Sequence, residues 1–174
     1  MTIEVVPASV VHVGPIATRM REIDKLECAI MGRGPKRALR QSLAGSTVAW
    51  TVKINGRAEA MMGAAAVSTL DGIGSPWLLM TDEAVRHARV LVVLGRGYSD
   101  AMQGLFRVLE NNVHADNDVS IRWLSRLGYT IGPVFDMNGH PMRRFRREKN
   151  LVRSDDLGNF FGCRGDGWDG RFRR

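Results

Sequence analysis

At 174 residues the chain is long enough to bury the core of one domain, and its 44% hydrophobic and 25% charged residues are typical of a globular protein. No apolar run approaches the roughly 20 residues of a membrane helix, and the N-terminus lacks the basic and apolar regions of a signal peptide, so we expect no membrane association. The net charge is +7. Residues 143–174 contain ten Lys/Arg and five Asp/Glu, which predicts that the basic character belongs mainly to the C-terminal tail.

The first part of the chain predicts a strand followed by helices. Ile3 to Val6 is short and β-branched, and Pro7 ends it. Apolar residues at three- and four-residue spacing predict one or two amphipathic helices over Ile16–Met31 and a further short helix over Pro35–Ala44.

The next segment predicts a β-hairpin and a buried strand. Apolar residues alternate along Thr47–Ile54, and Asn55-Gly56 is the preferred two-residue turn because both positions need positive φ. Arg57–Val67 is the return strand. A glycine-rich loop over Leu70–Ser75 then leads to Pro76–Met80, an apolar run that indicates a central strand.

A long helical region follows. Thr81, Asp82 and Glu83 are typical of a helix start, with a capping hydroxyl and two acids in the first turn. The pattern predicts helix over 84–94 and 97–107 with a break at Gly95–Gly97, and the run from Val90 to Leu94 leaves a strand as the alternative.

The segment from Asn117 to Tyr129 combines a start signal, an apolar face and a stop signal. Asn117 is a preferred N-cap, and Gly128 suits a left-handed C-cap, so a helix is predicted over 118–127. Strands are predicted over 108–113, before this helix, and over 130–137 and 141–145, which pair about the turn at Asn138-Gly139. The whole pattern predicts an α/β (α+β) domain over residues 1–148, with a mixed sheet of about six or seven strands flanked by helices.

Residues 149–174 differ in composition from the rest of the chain and predict an irregular basic tail rich in glycine, arginine and aromatic residues. Arginine and aromatic side chains are enriched in protein interfaces, and they also suit contact with nucleic acid, although the interleaved aspartates would repel phosphate. A solvated tail without a partner is the third alternative. The candidate interaction residues of the tail are Phe160, Phe161, Arg164, Trp168, Arg171 and Phe172.

The remaining chemistry is sparse. Cys28 and Cys163 have no paired spacing, which favours free thiols in a reducing cytosol. The four histidines are dispersed, so no metal site is predicted. Glu59 and Glu110 could each act as a general base, but a glutamate in a strand is more often a solvated residue that faces outward.

The Asn117–Tyr129 segment resembles the late motif N-x-x-A-x-x-x-Y-x-K-x-G-F of the Gcn5-related N-acetyltransferases. That resemblance implies their fold, with a mixed sheet between helices. The motif tyrosine, which is often the general acid, is replaced here by Leu124. The matching positions, together with the tryptophan between them, are Asn117, Ser120, Trp123, Leu124, Arg126, Gly128 and Tyr129.

The chain also resembles phage proteins with a degenerate acetyltransferase fold that are often labelled internal virion proteins. Three blocks carry this resemblance, Pro76–Glu83, Leu109–Asn117 and Ser120–Tyr129, within a region of similarity from Thr2 to Arg147. It implies a protein of the virion or the host cytoplasm whose partners are other phage structural proteins.

Acetyltransferases of this family hold the coenzyme's pyrophosphate with a loop Q/R-x-x-G-x-G/A after the fourth strand. The equivalent segment here, Thr81–Val85, has no glycine and carries Asp82 and Glu83, whose carboxylates would repel phosphate. We therefore expect no cofactor and no catalytic residue, and we interpret the chain as a non-catalytic module for protein–protein contacts. The rival hypothesis is an active N-acetyltransferase that uses acetyl-CoA at a divergent site.

Overall fold

The computed structural model describes residues 1–149 of the chain, in which seven strands form one sheet and six helices flank it. A 3-10 turn precedes the first helix. The strands are β1 (Ile3–Pro7), β2 (Ser46–Ile54), β3 (Arg57–Ser68), β4 (Ile73–Met80), β5 (Val108–His114), β6 (Thr130–Met137) and β7 (His140–Glu148). The helices are α1 (Val13–Thr18), α2 (Glu22–Ile30), α3 (Pro35–Gly45), α4 (Asp82–Arg86), α5 (Ala88–Leu105) and α6 (Asp118–Arg126).

The sheet has the order β1-β2-β3-β4-β5-β7-β6, and every neighbouring pair is antiparallel except β4 and β5. The predicted mixed sheet is thus confirmed. Both predicted turns have the expected backbone, with φ of 49° and 79° at Asn55 and Gly56 and of 54° and 80° at Asn138 and Gly139.

Helices cover both faces of the sheet. On one face, α1, α2 and α3 pack over β3 and β4, with Ile16, Leu39 and Met61 fully buried between them. On the other face, α4, α5 and α6 cover two further apolar clusters, centred on Met80 and on Leu109. The carboxyl ends of β4 and β5 therefore lie between two helical layers.

Two details of the predicted elements are wrong. Helix α5 runs without a break through Gly95–Gly97, and the turn between the helices lies at His87 instead. A glycine costs an exposed helix only about 1 kcal/mol relative to alanine, and Gly95 lies beside the side chain of Leu127, the residue that follows α6. Strand β4 begins at Ile73, inside the predicted loop, because Gly74 leaves room for the ring of Phe106.

The location of the basic charge also differs from the prediction. Five Lys/Arg against one Asp/Glu lie between Arg143 and Lys149, whereas residues 150–174 have five against four. Since β7 spans His140–Glu148, the excess positive charge belongs mostly to a strand of the folded domain and not to the tail.

The predicted interaction residues of the tail, and Cys163, lie outside the described residues. Within residues 1–149, no helix combines the length and apolar character needed to cross a bilayer. The same part of the chain contains no cluster of three potential metal-ligating side chains.

Candidate functional site

The parallel strands β4 and β5 separate soon after they begin. Their ladder includes only Ile73 with Val108 and Gly74 with Leu109. One side-chain bond crosses the gap, from Asn111 Nδ2 to the Pro76 carbonyl at 3.0 Å. Beyond that bond the strands diverge, and a cleft opens toward their carboxyl ends.

Cavities on both faces of the sheet meet at this cleft. A cavity of about 430 Å³ lies on the face of α2 and α3, and a smaller one of about 100 Å³ lies on the face of α6. Both are lined by Glu27, Asn111 and Asn112. These three polar side chains therefore lie at the junction of the two cavities, where a ligand could extend from one face of the sheet to the other.

Glu27 is the carboxylate that lines both cavities, and the sequence analysis missed it. Its Oε1 accepts hydrogen bonds from the backbone N–H of His114 and from Asn117 Nδ2, both at 2.9 Å. Oε2 accepts none from residues 1–149. Burial raises the pKa of Glu27 above its usual range, although the Asn117 and His114 bonds oppose the shift. A carboxylate with a raised pKa and one available oxygen can accept a proton.

The only signal for Glu27 in the sequence is its position on the apolar side of an amphipathic helix. It lies four residues after Ile23 and three before Ile30. An acid in such a position has to find partners inside the fold. The partners come from the end of β5 and the start of α6, about ninety residues later, and no local pattern points to them.

A Glu27→Gln variant should change how stability depends on pH. The pKa of Glu27 is higher in the folded protein than in the unfolded chain, where it is about 4.3. Glu27 therefore stabilises the fold most when it is protonated, below the unfolded pKa. This stabilisation is lost as pH rises through the folded pKa. Glutamine can accept the same two bonds without titrating. The variant should therefore gain stability relative to wild type as pH rises from 5 to 8, measured by chemical denaturation.

The matched control for this experiment is Glu22→Gln, which removes an exposed carboxylate from the same helix. It should leave the pH dependence of the wild-type protein unchanged. Asp24 and Arg21 also act on Glu27 electrostatically, so both must be retained in the variants. A difference between Glu27→Gln and wild type that stays constant from pH 5 to pH 8 would contradict the shift.

The carboxyl end of β4 is covered by the chain itself. Met80 donates its N–H to Asp24 Oδ2 at 3.0 Å, and its carbonyl accepts the Arg21 N–H at 3.1 Å. The N–H and C=O of one strand residue point to the same side, so both bonds lie on the edge of β4 that faces away from β3. Asp24 and Arg21 are also paired with each other and buried. This part of the strand edge is therefore unavailable to a ligand.

The residues beside Met80 are also engaged. Thr81 donates its N–H to the Glu59 carbonyl at 2.9 Å, and its hydroxyl donates to Glu59 Oε2. The same carboxylate pairs with Arg19 and Arg57. Glu59 is fully buried, so the solvated position expected for it is wrong. The carboxylate joins β3 to α1 and to the end of β4, and the ion pairs occupy both of its oxygens.

The residues after β4 do not fit the coenzyme's pyrophosphate. Helix α4 has five residues, and the Thr81 hydroxyl accepts the Ala84 N–H at its start. Glu83 accepts hydrogen bonds from His87 and Arg86. Both bonds lower the pKa of Glu83, and the bond from His87 has the larger effect. Two carboxylates, those of Asp82 and Glu83, thus lie at the helix end that would have to attract an anion.

The residues of the Asn117–Tyr129 motif lie together on α6, at its N-cap and in the turn between α6 and β6. Asn117 caps α6 by accepting the Ser120 N–H at 3.3 Å, and Gly128 has the left-handed φ of 86°. Trp123 is buried, and Leu124 packs beside Tyr129. No hydroxyl therefore occupies the place of the family's general acid at Leu124.

The phenol of Tyr129 does not replace the missing tyrosine. Its hydroxyl is 3.0 Å from Ser99 Oγ of α5, and Tyr129 is not among the residues that line the cavity beside Glu27. Burial raises the pKa of Tyr129, although the Ser99 bond opposes the shift. Glu110, the other glutamate considered as a base, pairs with Arg146 instead.

Comparison of the fold with solved structures gives many acetyltransferases. An aminoglycoside acetyltransferase in complex with ribostamycin and coenzyme A has a TM-score of 0.64 at 11% identity, covering 89% of this chain and 99% of its own. The ribosomal-protein-S18-alanine N-acetyltransferase of Escherichia coli has a TM-score of 0.60 at 14% identity, covering 87% of this chain and 99% of its own. An acetyltransferase of the GNAT family from Streptococcus pneumoniae has a TM-score of 0.57 at 9% identity, covering 84% of this chain and 99% of its own.

No protein-family model matches the chain, and the search of curated proteins gave no match. At these identities the likeness concerns the fold alone. The likeness extends over 84–89% of this chain and over 99% of each of these solved structures. The chain has the fold of a Gcn5-related N-acetyltransferase.

Proposed function

We propose that this acetyltransferase-fold protein acts through protein–protein contacts and not through acyl transfer from coenzyme A. The observation that carries the proposal is the covered end of β4. The main chain of Met80 is bonded to Arg21 and Asp24, and the helix that follows begins with Asp82 and Glu83. A coenzyme bound as in the family would have to displace a buried ion pair and approach two carboxylates.

The setting that we propose is a phage particle or its assembly, in the virion or the host cytoplasm. The support is the resemblance of three sequence blocks, Pro76–Glu83, Leu109–Asn117 and Ser120–Tyr129, to internal virion proteins. The fold places parts of all three blocks around the cleft between β4 and β5. The partners would be other structural proteins of the particle, and we expect the chain to co-purify with mature particles.

Titration of the full chain with acetyl-CoA tests the proposal. We expect no saturable binding below about 1 mM, which corresponds to less than about 4 kcal/mol of binding free energy. A micromolar dissociation constant, or roughly 8 kcal/mol, would overturn the proposal. The acetyl-CoA-binding control is one of the acetyltransferases of the same fold, measured in the same calorimeter and buffer.

One observation favours the second candidate, an N-acetyltransferase with a divergent cofactor site. Beside Pro76 and Leu78, before the covered end of β4, the cleft holds a cavity of about 100 Å³. Glu27 lines this cavity, with a raised pKa and one oxygen that accepts no hydrogen bond from residues 1–149. If the chain is an enzyme, Glu27 would accept the proton of the attacking amine. Amine-dependent release of coenzyme A that Glu27→Gln abolishes and Glu22→Gln retains would establish this candidate.

A further inference from the structure

A groove lies where strands β6 and β7 lose their regular pairing. Ile131 pairs with Phe145, but the next pair is Val134 with Arg143. Gly132 and Pro133 on β6 therefore stand opposite Arg144 alone, which is a β-bulge. The extra residue bends β6 away from its neighbour and leaves room at the edge of the sheet.

The groove at this bulge has a volume of about 860 Å³ and a strongly basic lining. Four cationic side chains border it, and Glu148 is the only carboxylate among its lining residues. The other lining residues carry no charge, and all but one of them are small. The cations are Arg144, Arg146, Arg147 and Lys149, and the remaining residues are Gln103, Gly128, Thr130, Gly132 and Pro133.

The four cationic side chains of this groove differ in whether they form ion pairs. Arg146 pairs with Glu110 and Glu148, and Arg147 pairs with Asp100. The side chains of Arg144 and Lys149 are exposed and make no ion pair within residues 1–149. In the part of the chain that the structure describes, two positive charges therefore have no acidic partner, and they lie beside two that are paired at the surface.

We propose that this β6–β7 groove binds the phosphodiester backbone of nucleic acid. A guanidinium group presents a planar pair of donors that matches two phosphate oxygens, and the small residues around Arg144 let a phosphate approach the main chain. The centre of a protein interface is usually apolar and aromatic, although arginine is also enriched there, and the lining residues of this groove include no Leu, Ile, Met, Phe or Trp. Phosphate is therefore the better-matched ligand.

The test is fluorescence anisotropy of the full chain with a labelled oligonucleotide, single-stranded and duplex, at several salt concentrations. The double variant Arg144→Glu/Lys149→Glu should weaken binding at least about tenfold and reduce the slope of log K against log salt by about two. The matched control is Arg37→Glu/Arg40→Glu, which changes the net charge equally at exposed arginines of α3. It should weaken binding by only about twofold.

Three results would overturn the proposal. The groove and control variants could lose affinity equally, which would indicate a response to overall charge or to the tail. A polyglutamate peptide could bind as tightly as the oligonucleotide, which would indicate an acidic protein as the ligand. Inorganic tripolyphosphate could bind as tightly, which would indicate a small phosphate compound. If the charge reversal unfolds the protein, Arg144→Ala/Lys149→Ala is compared with Arg37→Ala/Arg40→Ala.

Discussion

Replacing Asp24 with alanine should lower the free energy of unfolding by about 3–5 kcal/mol. The carboxylate of Asp24 is 1% exposed and pairs with Arg21, which is 5% exposed. Its removal leaves a buried guanidinium without its charged partner and the Met80 N–H without its acceptor. Each loss costs free energy because water cannot reach either group. Denaturation in guanidinium chloride at pH 7 measures the change.

The control for this prediction removes both charges. In Arg21→Met/Asp24→Leu neither charge of this pair remains, and the loss of stability should be much smaller, because a buried ion pair contributes little beyond its own desolvation cost. Burial indeed raises the pKa of Asp24 despite the charge of Arg21. A double variant as unstable as Asp24→Ala would mean that the Met80 hydrogen bond, and not the stranded charge, dominates.

The second large effect is expected at Trp123. Trp123 is 8% exposed and belongs to the buried cluster that also contains Val52, Ile54 and Met80, on the α6 side of the sheet. Trp123→Ala should cost about 3–5 kcal/mol, since it removes the largest side chain between α6 and the diverging strands and leaves a cavity. Thermal or chemical unfolding gives the value.

The neighbouring Arg122 provides the control, because it is exposed on the same helix. Arg122→Ala should stay within about 0.5 kcal/mol of wild type. A Trp123→Ala variant that loses less than about 1 kcal/mol would show that α6 can move inward to fill the space. The cleft beside Glu27 would then be adaptable.

Much of the fold is predictable from local patterns, since its signals are short in range. The two Asn-Gly turns, the helix cap at Asn117 and the left-handed Gly128 all follow from conformational preferences of single residues. The break predicted at Gly95–Gly97 is wrong because glycine costs a helix only about 1 kcal/mol per residue, and the burial of Leu91 and Met102 on either side offsets this cost.

The buried carboxylates were not predictable in the same way. Glu59 is held by Arg19, forty residues earlier, and by Thr81, twenty-two residues later. Alternation along β3 shows which face a side chain takes, but not which charges the other elements bring to it. Only the folded structure shows that the buried carboxylate of Glu59 links β3 to residues from other elements of the fold.

The bulge at Gly132-Pro133 also affects how copies of this protein can associate. Strand β6 is one outer edge of the sheet, with β7 as its only neighbour in the sheet order. A regular edge could accept a strand from another molecule, but Pro133 has no N–H to offer and the bulge bends the strand. Growth into a continuous intermolecular sheet is therefore blocked on this side. Any higher-order structure that contains the protein has to hold it there by its side chains.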